Sequence, residues 1–261
     1  MAQQLPTHEH LNLYGPPLDS HTLCSVVDGL WRACSDWATS ITSPYGVSEK
    51  DAPSFFEGLN ASGHPLGSAI GCTIKGQGRE ILFASSRRDI ASALDLGPHF
   101  QQSMVSLIAG FDAVQATDVL AKMGTSSDAW FGWYLPEPEA TLLMLKYGAF
   151  ASDTRWRAAG PAYSRLHHDT QLRSMSAINL ERWAHAHVPF RLGWSNYWSA
   201  ETAARLDFPE REKDANLLTR SKRFANGAWQ MQLTREPLNL QRDEHFDEFV
   251  RACARFPEIG A

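Results

Sequence analysis

Residues 192–199, which read Leu-Gly-Trp-Ser-Asn-Tyr-Trp-Ser, constrain the fold most strongly because they place three aromatic side chains within five positions. An extended strand alternates its faces, so Trp194 and Trp198 would share one face and Tyr197 would lie on the other. Neither face would be uniformly apolar. We therefore expect one aromatic set to pack in the core and the other to lie near a surface, where indole N–H and phenol O–H groups still find partners.

The composition of the chain limits the class of protein to which it can belong. With 261 residues, of which 43% are hydrophobic and 20% charged, it predicts an ordered globular protein. The net charge of −5 argues against direct binding of nucleic acid, which requires clustered Lys and Arg. There is no signal-peptide pattern, and no apolar run approaches the roughly 20 residues of a membrane span, so we expect a cytoplasmic protein without membrane contact. The four cysteines form no C-x-x-C pair and are expected to be reduced and mostly buried.

The spacing of apolar residues predicts the secondary structure of much of the chain. Helical spacing predicts helices over 19–41, 87–96 and 100–111, and a last helix from residue 243. Asp19 or Ser20 is the expected cap of the first of these, and Asp243 is the expected cap of the last. Alternation and turn residues predict strands over 69–75, 79–84, 130–135, 188–198 and 228–234. Residues 112–124 fit helix and strand equally.

Helices and antiparallel strands are intermixed without a repeated βαβ rhythm, which favours an α+β fold with an antiparallel or mixed sheet and packed helices. The chain is expected to form one unit over 1–261, or two similar-sized halves with an internal boundary near 152–175. Asn226-Gly227 predicts a hairpin turn with two residues of positive φ.

Three histidine segments are the main candidates for chemistry. His8-Glu9-His10 and His185-Ala186-His187 have residue types that can ligate a metal, and His167-His168-Asp169 has those of a general base. No spacing fixes a third metal ligand, no serine lies in a G-x-S-x-G motif, and Gly76-Gln77-Gly78 lacks the third glycine of a dinucleotide loop. The sequence therefore predicts no catalytic residue, no metal and no cofactor. A small metal-dependent or His-based hydrolase stays an alternative, and so does a non-catalytic ligand-binding protein.

Two acidic segments are candidates for protein contact. Residues 243–248 would open the last helix, where acids interact favourably with the helix dipole or are simply solvated. Residues 207–214 would form a loop or short helix just beyond the aromatic strand, and an ordinary solvated loop is the alternative to a contact role. Acids there could attract a basic partner, and neighbouring aromatics could anchor it. We predict a partner-binding surface made of Tyr197, Trp198, Asp207, Glu210, Glu212 and Asp214.

The C-terminal third of the chain, residues 177–258, resembles the immunity protein 52 family of bacterial polymorphic-toxin systems. The resemblance depends on residues 192–199, the strand over 229–233, the segment 233–238 (Leu-Thr-Arg-Glu-Pro-Leu) and the closing amphipathic helix. It implies a cytoplasmic antidote that binds a cognate restriction-endonuclease-like nuclease toxin, often delivered by type VI secretion, and neutralises it stoichiometrically. The family carries no catalytic residues to transfer. The modest charge of −5 leaves two mechanisms open, occlusion of the nuclease by charge mimicry and shape-based binding elsewhere.

Overall fold

The computed structural model describes residues 9–63, 69–88, 100–109, 111–136, 187–189 and 191–259. The chain divides into two compact units, Met1–Tyr134 and Leu135–Ala261. The described residues contain ten strands and six helices, and neighbouring strands pair in antiparallel fashion. This confirms the predicted α+β class with an antiparallel sheet. The boundary predicted near 152–175 lies outside the described residues.

The first unit is a sheet with helices packed on it. The elements of this unit are β1 (Glu9–Gly15), α1 (Ser20–Ala33), β2 (Ser40–Thr42), β3 (Ser48–Glu49), α2 (Ala52–Ala61), β4 (Ala69–Gly76), β5 (Arg79–Arg88), β6 (Phe100–Ala109), α3 (Ala113–Ser126) and β7 (Phe131–Leu135). The strands lie side by side in the order β3-β2-β4-β5-β6-β1-β7. Helix α3 packs against both α1 and β1.

Helix α1 begins as predicted but ends early. The Asp19 side chain caps it by accepting a hydrogen bond from the backbone N–H of Thr22 at 2.8 Å. The prediction that it continues to residue 41 is wrong, because the chain turns after Ala33 and Ile41 pairs with β4 opposite Ile74. Trp37 is nevertheless buried, so its position in the apolar pattern reflects burial in a loop.

The helix predicted over 100–111 is wrong, because this segment forms strand β6. Strand β6 is paired on both sides, with β5 and with β1. Val105 and Leu107, two residues apart, are buried, whereas Met104, directly before Val105, is 37% exposed. The residues that suggested a helical stripe therefore lie on opposite faces of a strand.

The remaining predictions for the first unit have mixed outcomes. The strands expected over 69–75, 79–84 and 130–135 are confirmed as β4, β5 and β7. The undecided segment 112–124 belongs to α3, which begins with a reciprocal capping box between Asp112 and Gln115. In the predicted helix 87–96, the first two residues belong to β5 instead, and the rest lies outside the described residues.

The elements of the second unit are β8 (Ser195–Trp198), α4 (Ala200–Arg205), α5 (Ala215–Leu218), β9 (Ser221–Arg223), β10 (Trp229–Gln232) and α6 (Asp243–Arg255). Strand β10 lies between β8 and β9. The strand predicted over 188–198 is observed only from Ser195. The last helix is confirmed, but Arg242 occupies its N-cap position without a side-chain cap, so Asp243 contributes charge to the first turn.

The hairpin predicted at Asn226-Gly227 is confirmed between β9 and β10. The backbone N–H of Phe224 donates to the carbonyl of Ala228 at 2.8 Å, and Gly227 has a φ of +83°. The expectation that Asn226 also has positive φ is wrong. Its side-chain oxygen instead accepts from the backbone N–H of Ala228 at 3.1 Å, an interaction by which Asn stabilises turns.

All three aromatic residues of the segment 192–199 are buried, so the expectation that one set lies near a surface is wrong. The indole N–H of Trp194 donates to the carbonyl of Thr234 at 3.0 Å. The Tyr197 ring lies 6.2 Å from the ring of Phe224. Trp198 is fully buried on the opposite face. The segment is therefore a structural element, and both faces of β8 are covered.

Trp198 belongs to a cluster of four aromatic rings that we call the aromatic cluster: Trp198, Phe208, Trp229 and Phe256. Ring centroids of Trp198 lie 5.3 Å from Phe208 and 5.0 Å from Phe256, both edge-on. Phe208 also meets Trp229 edge-on at 5.4 Å. Such edge-to-face contacts are favoured by the charge distribution of aromatic rings. The cluster joins β8 and β10 to the loop after α4 and to the end of α6.

None of the helices within the described residues is both long enough and apolar enough to span a membrane.

Candidate partner-binding surface

The segment 207–214, which we call the acidic loop, joins α4 to α5 and is anchored at its start. Asp207 has a φ of +52°, a left-handed conformation that Asp tolerates better than most residues. The next side chain, Phe208, is only 5% exposed and fills the aromatic cluster. The peptide bond between Phe208 and Pro209 is cis. Directly after this buried anchor, Pro209 and Arg211 are exposed.

The end of the acidic loop is fixed by an ion pair between Asp214 and Arg255. Asp214 is fully buried, and its two carboxylate oxygens accept from Nε and Nη2 of Arg255, each at 2.9 Å. Asp214 Oδ2 also accepts from the backbone N–H of Glu210 at 2.8 Å, and Arg255 Nη2 donates to the carbonyl of Asp207 at 2.6 Å. A bidentate pair with these additional bonds offsets the cost of removing both charges from water.

The structure separates the six predicted contact residues into two groups. Asp207 and Glu212 are exposed and Glu210 is half-buried, so these three carboxylates can reach a partner. Tyr197, Trp198 and Asp214 are buried, which contradicts their assignment to a surface. Tyr197 and Trp198 pack inside the sheet, and Asp214 is held by Arg255. These three support the loop and its strand, whereas contact with a partner stays a prediction for the other three.

The accessible part of the acidic loop is close to neutral. Three acids (Asp207, Glu210 and Glu212) and two bases (Arg211 and Lys213) give a formal charge of −1. Lys213 also forms an ion pair with Glu210, with 2.5 Å between Nζ and Oε2. A surface of this charge produces a weak field. It therefore favours recognition by shape and individual charge pairs over imitation of a phosphate backbone.

A second network supports the segment that follows the loop. Arg220 donates to the side-chain oxygen of Asn216 at 3.1 Å and to the carbonyl of Gln232 at 3.3 Å. Its Nη2 lies 3.7 Å from Glu248 Oε2 on α6. Burial lowers the pKa of Arg220, although an arginine remains charged at neutral pH. No sequence motif links Arg220 or Arg255 to its distant partner, so the sequence alone does not reveal the role of either residue.

The second acidic segment, 243–248, makes its ion pairs and hydrogen bonds mainly at the first turn of α6. Arg242 forms ion pairs with Glu236 and Glu244, all at the surface. His245 is buried, and its Nδ1 accepts from the backbone N–H of Asn239 at 3.0 Å. Burial, and then the positive charge of Arg242, lowers the pKa of His245. This histidine is therefore neutral at physiological pH and holds the chain that enters α6.

Only some of the histidines that are candidates for chemistry lie within the described residues. In β1, His10 Nδ1 lies 3.0 Å from Ser106 Oγ, and His187 Nε2 lies 3.3 Å from Glu201 Oε1. Among the residues that the structure describes, no three His, Cys, Asp or Glu are grouped so that they could hold a metal. Burial raises the pKa of Cys34 and of Cys72 to about 12, so both remain thiols. The other candidates lie outside the described residues: His8, His167, His168, Asp169 and His185.

These features define an α+β protein whose candidate site is a surface loop fixed at both ends by buried side chains. The chain belongs to the family described as "Domain of unknown function (DUF5953)", whose model matches residues 87–261. No curated protein matches its sequence. Among solved structures it is similar to one described as "Pseudomonas aeruginosa T6SS protein PA0821", with a TM-score of 0.54 and 11% identity. The similarity covers 97% of this chain and 74% of that chain, and at this identity it shows the fold alone.

Proposed function

We propose that this protein is an immunity protein that binds a cognate secreted nuclease toxin in the cytoplasm, one-to-one, and neutralises it without turnover, metal or cofactor. The observation that carries the proposal is the acidic loop. Its path is fixed by Phe208 and by the pair Asp214–Arg255, while Asp207, Glu210 and Glu212 face outward. A loop that is ordered before binding loses little conformational entropy on binding, which favours a tight complex.

Two further observations support the same proposal. The similar solved structure is described as a T6SS protein, and type VI secretion is a usual delivery route for the toxins that the resemblance of residues 177–258 implies. A nuclease surface that binds DNA is basic, so outward carboxylates would speed the encounter and fix its register. The near-neutral loop makes shape the larger part of this recognition, with the three carboxylates supplying individual charge pairs.

The test of the proposal is protection. Any nuclease-like toxin that is found encoded beside this gene is expressed in bacteria with and without this protein, and survival is measured. Purified proteins are then mixed and the mass of the complex is determined by light scattering. We expect protection and a one-to-one complex. A folded protein that neither protects nor binds contradicts immunity, and turnover together with a stoichiometric bound metal would favour the hydrolase alternative.

The contact surface is tested separately. Neutralising the three accessible acids of the loop with D207N, E210Q and E212Q should slow association with the toxin and weaken its dependence on salt, because long-range attraction acts mainly on the association rate. Association is followed by stopped-flow fluorescence at several salt concentrations. The matched control neutralises three exposed acids of the first unit, with D36N, E57Q and D118N. Equal effects of both triple variants would place the contact outside the acidic loop.

A further inference from the structure

Strand β9 is the last strand in the order of the sheet, and one of its edges pairs with no other described strand. Its register with β10 places Arg223 opposite Trp229 and Ser221 opposite Met231. The strand follows the acidic loop and α5 in the chain, but it includes none of the residues of the proposed toxin contact. Its open edge is therefore a separate surface.

The register decides which backbone groups face this open edge. Hydrogen bonds run from the N–H of Phe224 to the carbonyl of Ala228 and from the N–H of Gln232 to the carbonyl of Arg220. Bonded and non-bonded pairs alternate in an antiparallel ladder, so Lys222 is the residue of β9 that bonds to β10. The backbone N–H and C=O groups of Ser221 and Arg223 consequently point outward, and they offer two donors and two acceptors to an added strand.

Two exposed cations accompany these backbone groups. Lys222 and Arg223 are consecutive residues of a strand, so their side chains lie on opposite faces. Each cation stands over a half-buried aromatic ring: Lys222 Nζ lies 5.4 Å from the centre of Phe224, and the guanidinium of Arg223 lies 5.8 Å from the centre of Trp229. Within the described residues neither cation takes part in an ion pair. The ring contacts hold both cations beside the edge.

We propose that the open edge of β9 binds an acidic extended segment of a partner protein, which adds to the sheet as an antiparallel strand. Backbone bonds to Ser221 and Arg223 supply affinity, as in other cases of strand addition. Two consecutive carboxylates of the partner, one on each face, pair with Lys222 and Arg223 across the strands. Charged residues at a sheet edge disfavour unspecific pairing of strands, and at this edge Lys222 and Arg223 disfavour uncharged and basic strands. A second copy of β9 is disfavoured because it would bring cations against cations.

A short peptide tests this surface without any toxin, so the outcome is independent of the proposed immunity function. The probe is fluorescently labelled Thr-Val-Glu-Glu-Val-Thr with blocked termini, and binding is measured by anisotropy at low salt. We expect saturable binding. A peptide with Lys-Lys in place of Glu-Glu should bind about tenfold more weakly or worse. The acidic peptide N-methylated at its third and fifth residues should show a similar loss, because its backbone can no longer donate to β9.

The protein variant for this test is K222E/R223E. We expect this variant to lose binding of the acidic peptide and to gain binding of the Lys-Lys peptide. The control K50E/R235E makes the same change in net charge at two other exposed positions and should leave binding of the acidic peptide within about twofold of wild type. Circular dichroism checks that both variants are folded. Failure of the acidic peptide to bind, equal binding of the N-methylated peptide, or unchanged binding by K222E/R223E would each overturn the proposal.

Discussion

Asp214 and Glu212 are acids two positions apart in the same loop, yet their environments are opposite. Glu212 is exposed, whereas Asp214 is fully buried and shares two hydrogen bonds with Arg255. A buried carboxylate is stable only while its partner remains, because an unpaired charge away from water is very costly. Asp214 therefore determines the path of the loop, while Glu212 is available to another molecule.

Removing either side of this pair should destabilise the protein strongly. We expect D214A or R255M to lower the free energy of unfolding by about 3–5 kcal/mol, as measured by urea denaturation. The control R251M removes the exposed cation that pairs with Glu248 and should cost about 0–1 kcal/mol. The double variant D214A/R255M should cost less than the sum of the single variants. Strict additivity would mean that the two residues do not interact.

His245 should make stability depend on pH. The pKa of His245 is lowered in the folded protein from its ordinary value of 6.5, so folding favours the neutral form. Stability is therefore full above pH 6.5 and falls as the pH drops below it, until the folded pKa is passed. H245N keeps an oxygen that can accept from Asn239 but has no titrating proton, so its unfolding free energy should vary less between pH 7 and pH 5. His187 contributes in the same direction, because burial also lowers its pKa, and H187N is the matching comparison.

Glycines in α1 and β4 have different structural roles, and alanine substitutions should reveal the difference. A methyl group at Gly29, an exposed position inside α1, would contact nothing within 4 Å, so G29A should stabilise the protein by about 0.5–1 kcal/mol. A Cβ at Gly76 would collide with the backbone carbonyl oxygen of Trp37. G76A must therefore displace backbone and should lower the melting temperature. Thermal unfolding of both variants checks this pair, and a stable G76A would contradict the close approach.

Elements were predictable from the sequence where local signals decide them. The cap at Asp19, the turn at Gly227 and the alternation of Met231 and Leu233 each depend on neighbouring residues, and these elements were located correctly. Strand β6 was mistaken for a helix because its conformation is fixed by pairing with β5 and with β1, which lies about a hundred positions away in the chain. Tertiary pairing of this kind overrides local spacing.

The candidate site was likewise predictable only where local signals decide its structure. The sequence predicts the acidic loop as a candidate from its acids and from its position just beyond the aromatic strand. It could not tell that Asp214 is buried, because the partner Arg255 is 41 positions away and belongs to a helix whose polar residues look alike. Burial of Tyr197 likewise depends on Phe224, a residue of the hairpin. Local pattern gives residue type and element, whereas the partner of a buried polar group is a property of the tertiary structure.

The segment that the family model matches begins at a different residue from either compact unit of the molecule. The matched segment begins at residue 87, inside β5, and therefore lacks α1, β1 and most of β5. Strand β6 pairs with β1 and β5, so in the fragment 87–261 the side chains of Val105 and Leu107 would lose both neighbouring strands. We expect this fragment to unfold in calorimetry with a lower enthalpy per residue than the full chain, because β6 loses its sheet partners while the second unit is retained. If the fragment instead unfolds with the same enthalpy per residue as the full chain, the pairing of β6 with β1 and β5 is not needed for stability.

The fixed ends of the acidic loop have a consequence for how such a protein can diversify. Its path depends on Phe208, Asp214 and Arg255, and none of these three presents a carboxylate to solvent. Substitutions at Glu210 or Glu212 can therefore change the charge and size of the outward side chains while the backbone remains where it is. A duplicated gene could acquire a new binding specificity through a few surface codons, without passing through an unstable intermediate.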